Sequence, residues 1–305
     1  MRVKTNMAYL WQNFLALIPS IKAYFLVILF FMVAERLIPA ERNQPYRNQM
    51  LSGQCTLLYF LVTPLVLIWP AYIAAEIVKT MGGSLFTVDL DRLRVGSHAV
   101  DGSLHHLALP LVPFLVFDFF YYWHHRLQHR LPALWAQHKL HHLEESLCCL
   151  TNLRHHWLED AIRAFTIMIP MAMLITLQPV RAVFTVIIIS YWSVFIHSNL
   201  RLPLGPLTAV LTGPQLHRIH HSREVQHNDK NFAAFFPIWD VIFGTYYRPQ
   251  PGEWPATGIA GEKIDNLWSA MVLPFREWHA MLPRLSPLPV FQKRAAIRRN
   301  HPSID

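Results

Sequence analysis

Long apolar stretches separated by short polar ones dominate the chain. Residues 57–75 and 182–200 contain no charged side chain over 19 positions each. A helix needs roughly 20 predominantly apolar residues to cross a bilayer, so both stretches predict membrane-spanning helices. A slightly shorter uncharged stretch covers residues 164–180. A minimal turn near Gln178 and Pro179 joins it to residues 182–200. We therefore expect the last two stretches to form a transmembrane hairpin.

Two further apolar stretches contain polar residues. Residues 104–123 are apolar apart from His105, His106 and Asp118, and they lead directly into a histidine-rich segment. Residues 14–38 carry three charged side chains, which can reach the two ends of a tilted helix. Five spans would leave the basic N-terminus outside the cell. The alternative is a topology with four spans, in which one early segment is re-entrant or lies at the membrane interface.

Composition supports a membrane protein. The chain of 305 residues is 53% hydrophobic and 15% charged, whereas a soluble domain carries about a quarter charged residues. The first apolar stretch is followed by Glu35 and Arg36 rather than a small-residue cleavage site, so we expect it to be retained. We predict an all-α, polytopic membrane protein with four or five transmembrane helices and a cytoplasmic helical cap.

The positive charge fits a membrane surface better than nucleic acid. The net charge is +8, and basic pairs lie near the C-terminus, at Lys293-Arg294 and Arg298-Arg299. Basic residues favour the cytoplasmic side of a membrane and can contact anionic headgroups there. We therefore expect the last hundred or so residues to be cytoplasmic and no nucleic acid to bind. Cys55, Cys148 and Cys149 are too few for a framework of disulfides, which favours a reducing compartment.

Histidines supply the candidate chemistry. Eight of the 18 histidines form three short boxes. The boxes are His125 and His129; His138, His141 and His142; and His217, His220 and His221. Residues spaced by three or four positions lie on one face of a helix, so each box can aim its imidazoles at one point. A structural zinc site uses four ligands, and imidazole also suits iron and copper. Two metal ions are the simplest explanation.

The remaining candidates lie close to the boxes or to a span. His197, at the end of residues 182–200, is a further candidate ligand because ionisable groups at membrane boundaries are often functional. His156 is a candidate for ligation, for support of a ligand or for contact with substrate. Asp118 precedes His125 by seven residues, on the same helical face, and could accept a hydrogen bond from a ligating imidazole.

Four more residues are weaker candidates or are excluded. Glu159 and Asp240 could support ligands in the same way as Asp118. His124 and His155 each precede a candidate histidine and lie on a different helical face. We expect neither of these two histidines to be a ligand.

The boxes and their surroundings resemble a known family. The segment DFFYYWHHRLQHRLPALWAQHKLHH, residues 118–142, is similar to the fatty acid hydroxylase and sterol desaturase superfamily of membrane di-iron oxygenases. The resemblance covers about residues 110 to 248. It continues in the residues Arg154, His156, Glu159, Asn231 and Asp240, and in the segments HSN (197–199) and PQLHRIHHS (214–222).

The resemblance implies a fold, a cofactor and partners. It implies helices in the membrane capped on the cytoplasmic side by two iron ions bound by the histidine boxes. Members use O2 and electrons that a donor of the cytochrome b5 or ferredoxin type commonly delivers, and we expect a separate protein to supply the electrons here. Trp157 and Leu143 replace the proline and serine common in the family, and both lie outside the boxes. These two differences bear on the substrate rather than on the metal.

The sequence therefore predicts a membrane-bound non-haem di-iron oxygenase that hydroxylates a lipid C–H bond. Asp118, His156 and Glu159 are the predicted catalytic residues, and the eight box histidines with His197 are the predicted ligands. A desaturase of the same superfamily, a histidine-based metal transporter and a membrane zinc hydrolase are the alternatives. The predicted regions are N-terminal membrane helices (1–103), a catalytic domain (104–248) and a basic cytoplasmic tail (249–305).

Overall fold

The computed structural model describes residues 7–87, 94–95, 98–99, 111–176 and 179–285. The fold is helical, as predicted, with four two-residue strands. These strands are β1 (Phe86–Thr87), β2 (Arg94–Val95), β3 (His98–Ala99) and β4 (Ile175–Thr176). Strand β1 pairs with β4 in parallel, with Phe86 opposite Ile175, and β2 pairs with β3 in antiparallel orientation.

The first three helices are α1 (Met7–Leu37), α2 (Tyr46–Val66) and α3 (Ile68–Thr80). The prediction of one helix over residues 57–75 is therefore wrong, because the structure has two helices there that meet at Leu67. Proline explains the division. Pro70 has no N–H, so the carbonyl group of Val66 receives no helical hydrogen bond from it.

Helix α4 (Leu111–Arg130) begins within the predicted span 104–123 and continues beyond it through the first histidine box. Residues 104–110 lie outside the described residues. Leu131 is extended, as expected before a proline, and α5 (Pro132–His142) starts immediately after it. The chain thus turns between the first two boxes and places them on neighbouring helices.

The predicted hairpin has different helix bounds in the structure. Helix α6 (Leu158–Arg163), a π-helical turn (Ala164–Met168) and α7 (Ile169–Leu174) follow one another directly. The chain then becomes extended at Ile175 and enters β4, so the helix predicted over residues 164–180 ends at Leu174. Gln178 lies outside the described residues. Helix α8 (Pro179–His197) starts and ends three residues before the predicted span 182–200.

Short helices make up much of the remaining described chain. They are α9 (Pro214–His220), α10 (Ile238–Ile242) and three 3₁₀ turns, Cys149–Leu153, Gly205–Ala209 and Val225–His227. The longer helix α11 (Leu267–Leu285) packs on α5 through Leu140, Leu143, Ala270 and Leu273, all of which are buried. A second apolar cluster joins α1, α8 and the first 3₁₀ turn through Tyr24, Cys149 and Val194.

One described helix, Tyr46–Val66, is long and apolar enough to cross a membrane by its length and composition. This finding applies only to the described part of the chain. A multi-pass topology, the number of spans and a cytoplasmic cap therefore remain predictions. The three cysteines are buried and free in the structure.

Candidate metal centre

All three histidine boxes and His197 meet at one end of the helices. The first box lies on the last two turns of α4, and the second lies at the end of α5. The third occupies α9 and the residue after it, and His197 is the last residue of α8. Pro132 and Pro214 start α5 and α9 at the first helical position, where the missing N–H costs no hydrogen bond.

The nine histidines fall into two groups whose candidate ligand atoms lie within 4.8 Å of one another. The five-histidine group contains His125, His129, His138, His142 and His220. The four-histidine group contains His141, His197, His217 and His221. The second and third boxes are thus each divided between the groups. Neighbouring positions on a helix point in different directions, so His141 and His142 face different centres.

Both groups aim their Nε2 atoms inward. In the five-histidine group, His142 Nε2 lies 3.1 Å from His129 Nε2 and 3.2 Å from His138 Nε2. In the four-histidine group, His197 Nε2 lies 3.0 Å from His141 Nε2 and 2.9 Å from His217 Nε2. Ring nitrogens this close together can bind one metal ion in each group.

The outer ring nitrogens show why the inner nitrogens are available for metal. His125 Nδ1 lies 2.9 Å from the carbonyl oxygen of Phe232, and His220 Nδ1 lies 2.8 Å from that of Lys230. A carbonyl group only accepts, so each Nδ1 must donate its proton and each Nε2 must carry a lone pair. The Nε2 atoms of His125 and His220 are buried and have no hydrogen-bond partner in the described structure. These histidines fit a bound metal ion.

Burial keeps the box imidazoles neutral. It lowers the pKa of His142 and His220 well below the usual 6.5, and neighbouring histidines lower both further. The pKa values of His141, His217 and His221 are depressed in the same way, first by burial and then by adjacent imidazoles. A neutral imidazole is the form that binds a metal ion.

The loop of residues 229–236 supports the five-histidine group. Beyond the two carbonyl groups already described, Asp229 Oδ1 lies 3.6 Å from His129 Nδ1. Asp229 and Asn231 adopt positive φ angles of 57° and 58°, a conformation that Asp and Asn tolerate better than most residues. This support could not be predicted from the sequence, since a carbonyl group leaves no signal in a residue pattern.

Asp118 acts on this loop and not directly on a histidine. Its Oδ1 accepts from the backbone N–H groups of Ala234 and Phe235, at 2.8 and 3.0 Å, and its Oδ2 accepts from that of Phe236 at 2.7 Å. Asp240 accepts from the backbone N–H groups of Phe232 and Ala233. The prediction that Asp118 accepts a hydrogen bond from a ligating imidazole is therefore wrong, because its partners are backbone N–H groups. The two aspartates instead fix the loop that orients His125.

Glu159 lies beside the five-histidine group, as expected of a supporting carboxylate. Its Oε2 lies 3.4 Å from His138 Nδ1, and its Oε1 accepts from Arg163 at 3.2 Å. His155 Nδ1 lies 3.2 Å from Glu159 Oε2, and its ring stacks on that of His141 with 4.3 Å between centroids. His138, His155 and Glu159 form a third group whose candidate ligand atoms lie within 4.8 Å of one another. The expectation that His155 is not a ligand rests on helical spacing alone and misses this group.

Two more histidines lie outside both histidine groups. His156 Nε2 lies 3.1 Å from the carbonyl oxygen of Met271, and its Nδ1 accepts from the backbone N–H of Leu158. The structure therefore does not bring His156 to the two groups, and its catalytic role remains a prediction. His124 Nδ1 lies 2.7 Å from Thr166 Oγ1. His124 is likewise absent from the groups, as expected.

Comparison with known proteins identifies the domain. The family model described as fatty acid hydroxylase matches residues 110–245. Residues 110–245 therefore match a fatty acid hydroxylase domain, and the relatives of the chain are lipid hydroxylases and sterol desaturases. The matched residues include every histidine of both groups. No solved structure matches the chain.

Three relatives illustrate the range of the superfamily. The chain is 36% identical to alkylglycerol monooxygenase of Danio rerio over 47% of its own length and 33% of that protein. It is 24% identical to ornithine lipid hydroxylase OlsE of Rhizobium tropici over 89% of its length and 78% of the relative. It is 34% identical to the Δ7-sterol 5(6)-desaturase ERG3A of Gibberella zeae, over 45% of this chain and 37% of the relative. The chain thus spans about a third of the length of the alkylglycerol monooxygenases that it matches.

Proposed function

We propose that this chain is a membrane-bound non-haem di-iron oxygenase that hydroxylates a C–H bond of a lipid. The observation that carries the proposal is the division of nine histidines, eight of them buried, into two groups with converging Nε2 atoms. Each group offers at least the four ligands that hold a single metal ion. The superfamily of residues 110–245 supports iron as the metal.

The residues of the chain would hold the metals, exclude water and fix ligand orientation. Iron supplies the redox chemistry that reduces O2 with external electrons and oxidises an inert C–H bond. The buried histidines keep Nε2 lone pairs inward, because His125 and His220 donate Nδ1–H to fixed carbonyl groups. Glu159 plays the corresponding part for His138, and such outer partners raise the basicity of a metal-bound imidazole.

The substrate class comes from the relatives. Two of them are lipid hydroxylases by name, one acting on alkylglycerols and one on ornithine lipids. Both substrate types are amphiphilic lipids. We expect a lipid of this kind, whose reactive carbon can reach the histidine groups from the bilayer. Electrons would come from a separate donor of the cytochrome b5 or ferredoxin type, as the family resemblance implies.

Desaturation is the second candidate, because a sterol desaturase is 34% identical over 45% of the chain. Hydroxylation and desaturation both begin with removal of a hydrogen atom from carbon and differ in what happens next. A metal transporter and a zinc hydrolase fit the geometry less well. A transporter relay would spread its histidines along the spans. A catalytic zinc site uses three protein ligands and keeps one position open for water, whereas each group here offers four or five histidines.

Isotope labelling tests the proposed reaction. Membranes containing the protein and reducing equivalents would be exposed to ¹⁸O₂, and extracted lipids would be compared by mass spectrometry with those from the His217→Ala variant. Hydroxylation predicts a lipid that gains one ¹⁸O atom only with the unaltered protein. Loss of two hydrogen atoms without oxygen gain would instead establish the desaturase. Identical lipids from both proteins would exclude both reactions.

We further propose that five segments cross the membrane, namely α1, α2, α4, the continuous helical segment from α6 to α7, and α8, and that the cap faces the cytoplasm. The histidine groups require the ends of α4 and α8 to lie on one side, and basic residues favour that side as cytoplasmic. Accessibility tags beside Glu145 and after Asp305 test this topology. Both tags should react only from the cytoplasmic face, and labelling of the two tags from opposite faces would contradict it.

A further inference from the structure

Helices α1 and α8 lie side by side and are joined at their ends. The backbone N–H of Ala40 donates to the carbonyl group of Asn199 at 2.9 Å, and that of Arg201 donates to Ile38 at 2.8 Å. The buried Glu35 accepts from the backbone N–H groups of Cys149 and Asn199 at 2.7 and 2.6 Å. The seam between α1 and α8 therefore has a fixed geometry at the end that carries His197.

An apolar groove occupies the middle of this seam. It has a volume of about 600 Å³, and its walls include Val27, Phe30 and Phe31 of α1 and Trp192 and Phe195 of α8. The rings of Phe31 and Phe195 lie 6.0 Å apart. All eight lining residues are aliphatic or aromatic, so the groove suits a hydrocarbon chain.

A polar cavity of about 340 Å³ lies at the end of the same seam. On α1, Val27 and Phe31 of the groove share a helical face with Glu35 of the cavity, at successive four-residue steps. On α8, Phe195 lines the groove and Asn199, just beyond the helix end, lines the cavity. The seam thus carries an apolar groove followed by a polar cavity, and this order matches the polarity profile of one lipid molecule.

The charges of the cavity indicate which headgroup it accepts. Arg36 and Arg42 line it and are exposed, and neither makes an ion pair with a residue of the described structure. The two acidic residues that line it are already engaged. Glu35 accepts the two backbone bonds given above, and Glu41 pairs with Arg218 at 3.2 Å. Arg36 also attracts the nearby Glu35 electrostatically, but both arginines keep donors that no ion pair occupies. A phosphate group suits them, because arginine binds phosphate with paired hydrogen bonds.

We propose that the α1–α8 seam binds one glycerophospholipid with an anionic headgroup, its phosphate on Arg36 and Arg42 and one acyl chain in the apolar groove. The proposal goes beyond lipid hydroxylation and rests on the proposed membrane location of α1 and α8. Because Asn199 lies two residues after His197, the bound lipid would brace the end of α8 that carries a candidate ligand.

Native mass spectrometry of the full-length protein tests the headgroup. The protein would be placed in nanodiscs of phosphatidylcholine with a minor fraction of phosphatidylglycerol, then released, and the lipid retained on it identified. We expect phosphatidylglycerol to be enriched several-fold on the unaltered protein. The R36Q/R42Q double variant should lose this enrichment, with R42Q alone intermediate. The matched control is Arg47→Gln, whose side chain pairs with Asp265 at 3.6 Å outside the cavity. It should retain the enrichment.

A second variant tests the groove. Val27→Trp fills the space for the chain and should reduce retention of phosphatidylglycerol, while soluble glycerol phosphate should not displace the lipid from the unaltered protein. Equal enrichment in the unaltered protein and R36Q/R42Q would overturn the proposal, as would displacement by glycerol phosphate. Metal content is measured on the same samples. Lipid retention can therefore be judged even if the protein contains no iron and the proposed function fails.

Discussion

The two histidine groups differ in how their outer ring nitrogens are held. In the five-histidine group, His125 and His220 donate to backbone carbonyl groups, and carboxylates lie near Nδ1 of His129 and His138. In the four-histidine group, His197 Nδ1 lies 2.7 Å from the carbonyl oxygen of Ser193. The Nδ1 atoms of its remaining members are buried and have no partner within the described structure; these members are His141, His217 and His221.

Two sets of histidine ligands can therefore differ in how firmly hydrogen bonds to their outer Nδ1 atoms fix the rings. Outer partners fix the tautomer and ring orientation of a metal-bound imidazole and raise its basicity. The five-histidine group should therefore bind its metal more tightly, and the four-histidine group should exchange it more readily. The histidines alone, read as three boxes, give no indication of this asymmetry.

Removing one ligand from either group should have the largest effect. We expect His217→Ala, which leaves three histidines in its group, to lose about one metal ion per chain and all turnover. His142→Ala leaves four histidines but removes the Nε2 atom that lies 3.1 and 3.2 Å from those of His129 and His138, so we expect weaker metal binding in its group and loss of turnover. Metal analysis and lipid product formation measure both effects. His124→Ala is the control, because His124 contacts Thr166 and lies outside both groups. Full metal content and turnover in either ligand variant would remove that histidine from the site.

Glu159→Gln should reduce metal affinity or turnover by about 10 to 100-fold, as is typical for loss of an outer carboxylate. The amide cannot provide the negative charge that now faces His138 Nδ1 and Arg163. Glu145→Gln is a suitable control, because Glu145 pairs with the exposed Lys263 at 3.3 Å. Equal metal affinity and turnover for the two variants would show that Glu159 does not support His138.

Asp118→Asn tests the loop at residues 229–236. The amide offers one acceptor and places an N–H₂ group opposite a backbone N–H, so we expect a loss of roughly 1.5 to 3 kcal/mol of stability, the range for hydrogen bonds to a charged group. Metal should leave the five-histidine group in parallel, because the loop orients His125 through Phe232. Thermal unfolding and metal analysis check both effects. Unchanged stability with normal metal content would refute this role of Asp118.

Helical spacing predicted the histidines of the site but not their grouping. Positions such as 138 and 142 share a helical face by geometry alone, and both belong to the five-histidine group. Whether His141 joins the same metal depends on where α9 and α8 pack, which is a property of tertiary structure. Asp118 was recognised as important, yet its partners lie more than a hundred residues away on backbone N–H groups, where side-chain patterns carry no information.

The helices were predicted less accurately where local chemistry competes with hydropathy. The uncharged stretch 57–75 fits one span by composition, but Pro70 removes a helical donor and the helix divides at Leu67. Ile175 and Thr176 end the next stretch early because they pair with β1. By contrast, the stretch 182–200 has no proline, and helix α8 follows it within three residues.

The smallest expected effect is a difference in the rate at which the two histidine groups release their metal ions. His217→Ala retains the complete five-histidine group, whereas His142→Ala retains the complete four-histidine group. With excess chelator, we expect the metal remaining in His217→Ala to leave at least about 10-fold more slowly, the lower end of the range for outer-partner effects. Equal rates, or faster release from His217→Ala, would contradict the asymmetry.

The identity and number of the bound metal ions test the central claim most directly. Protein expressed with ample iron and purified without chelators would be analysed for iron, zinc and copper per chain by mass spectrometry. Two histidine groups with neutral, inward-facing Nε2 atoms predict about two irons per chain, because imidazole suits iron and each group supplies a full ligand set. One zinc per chain and no iron would contradict the di-iron oxygenase.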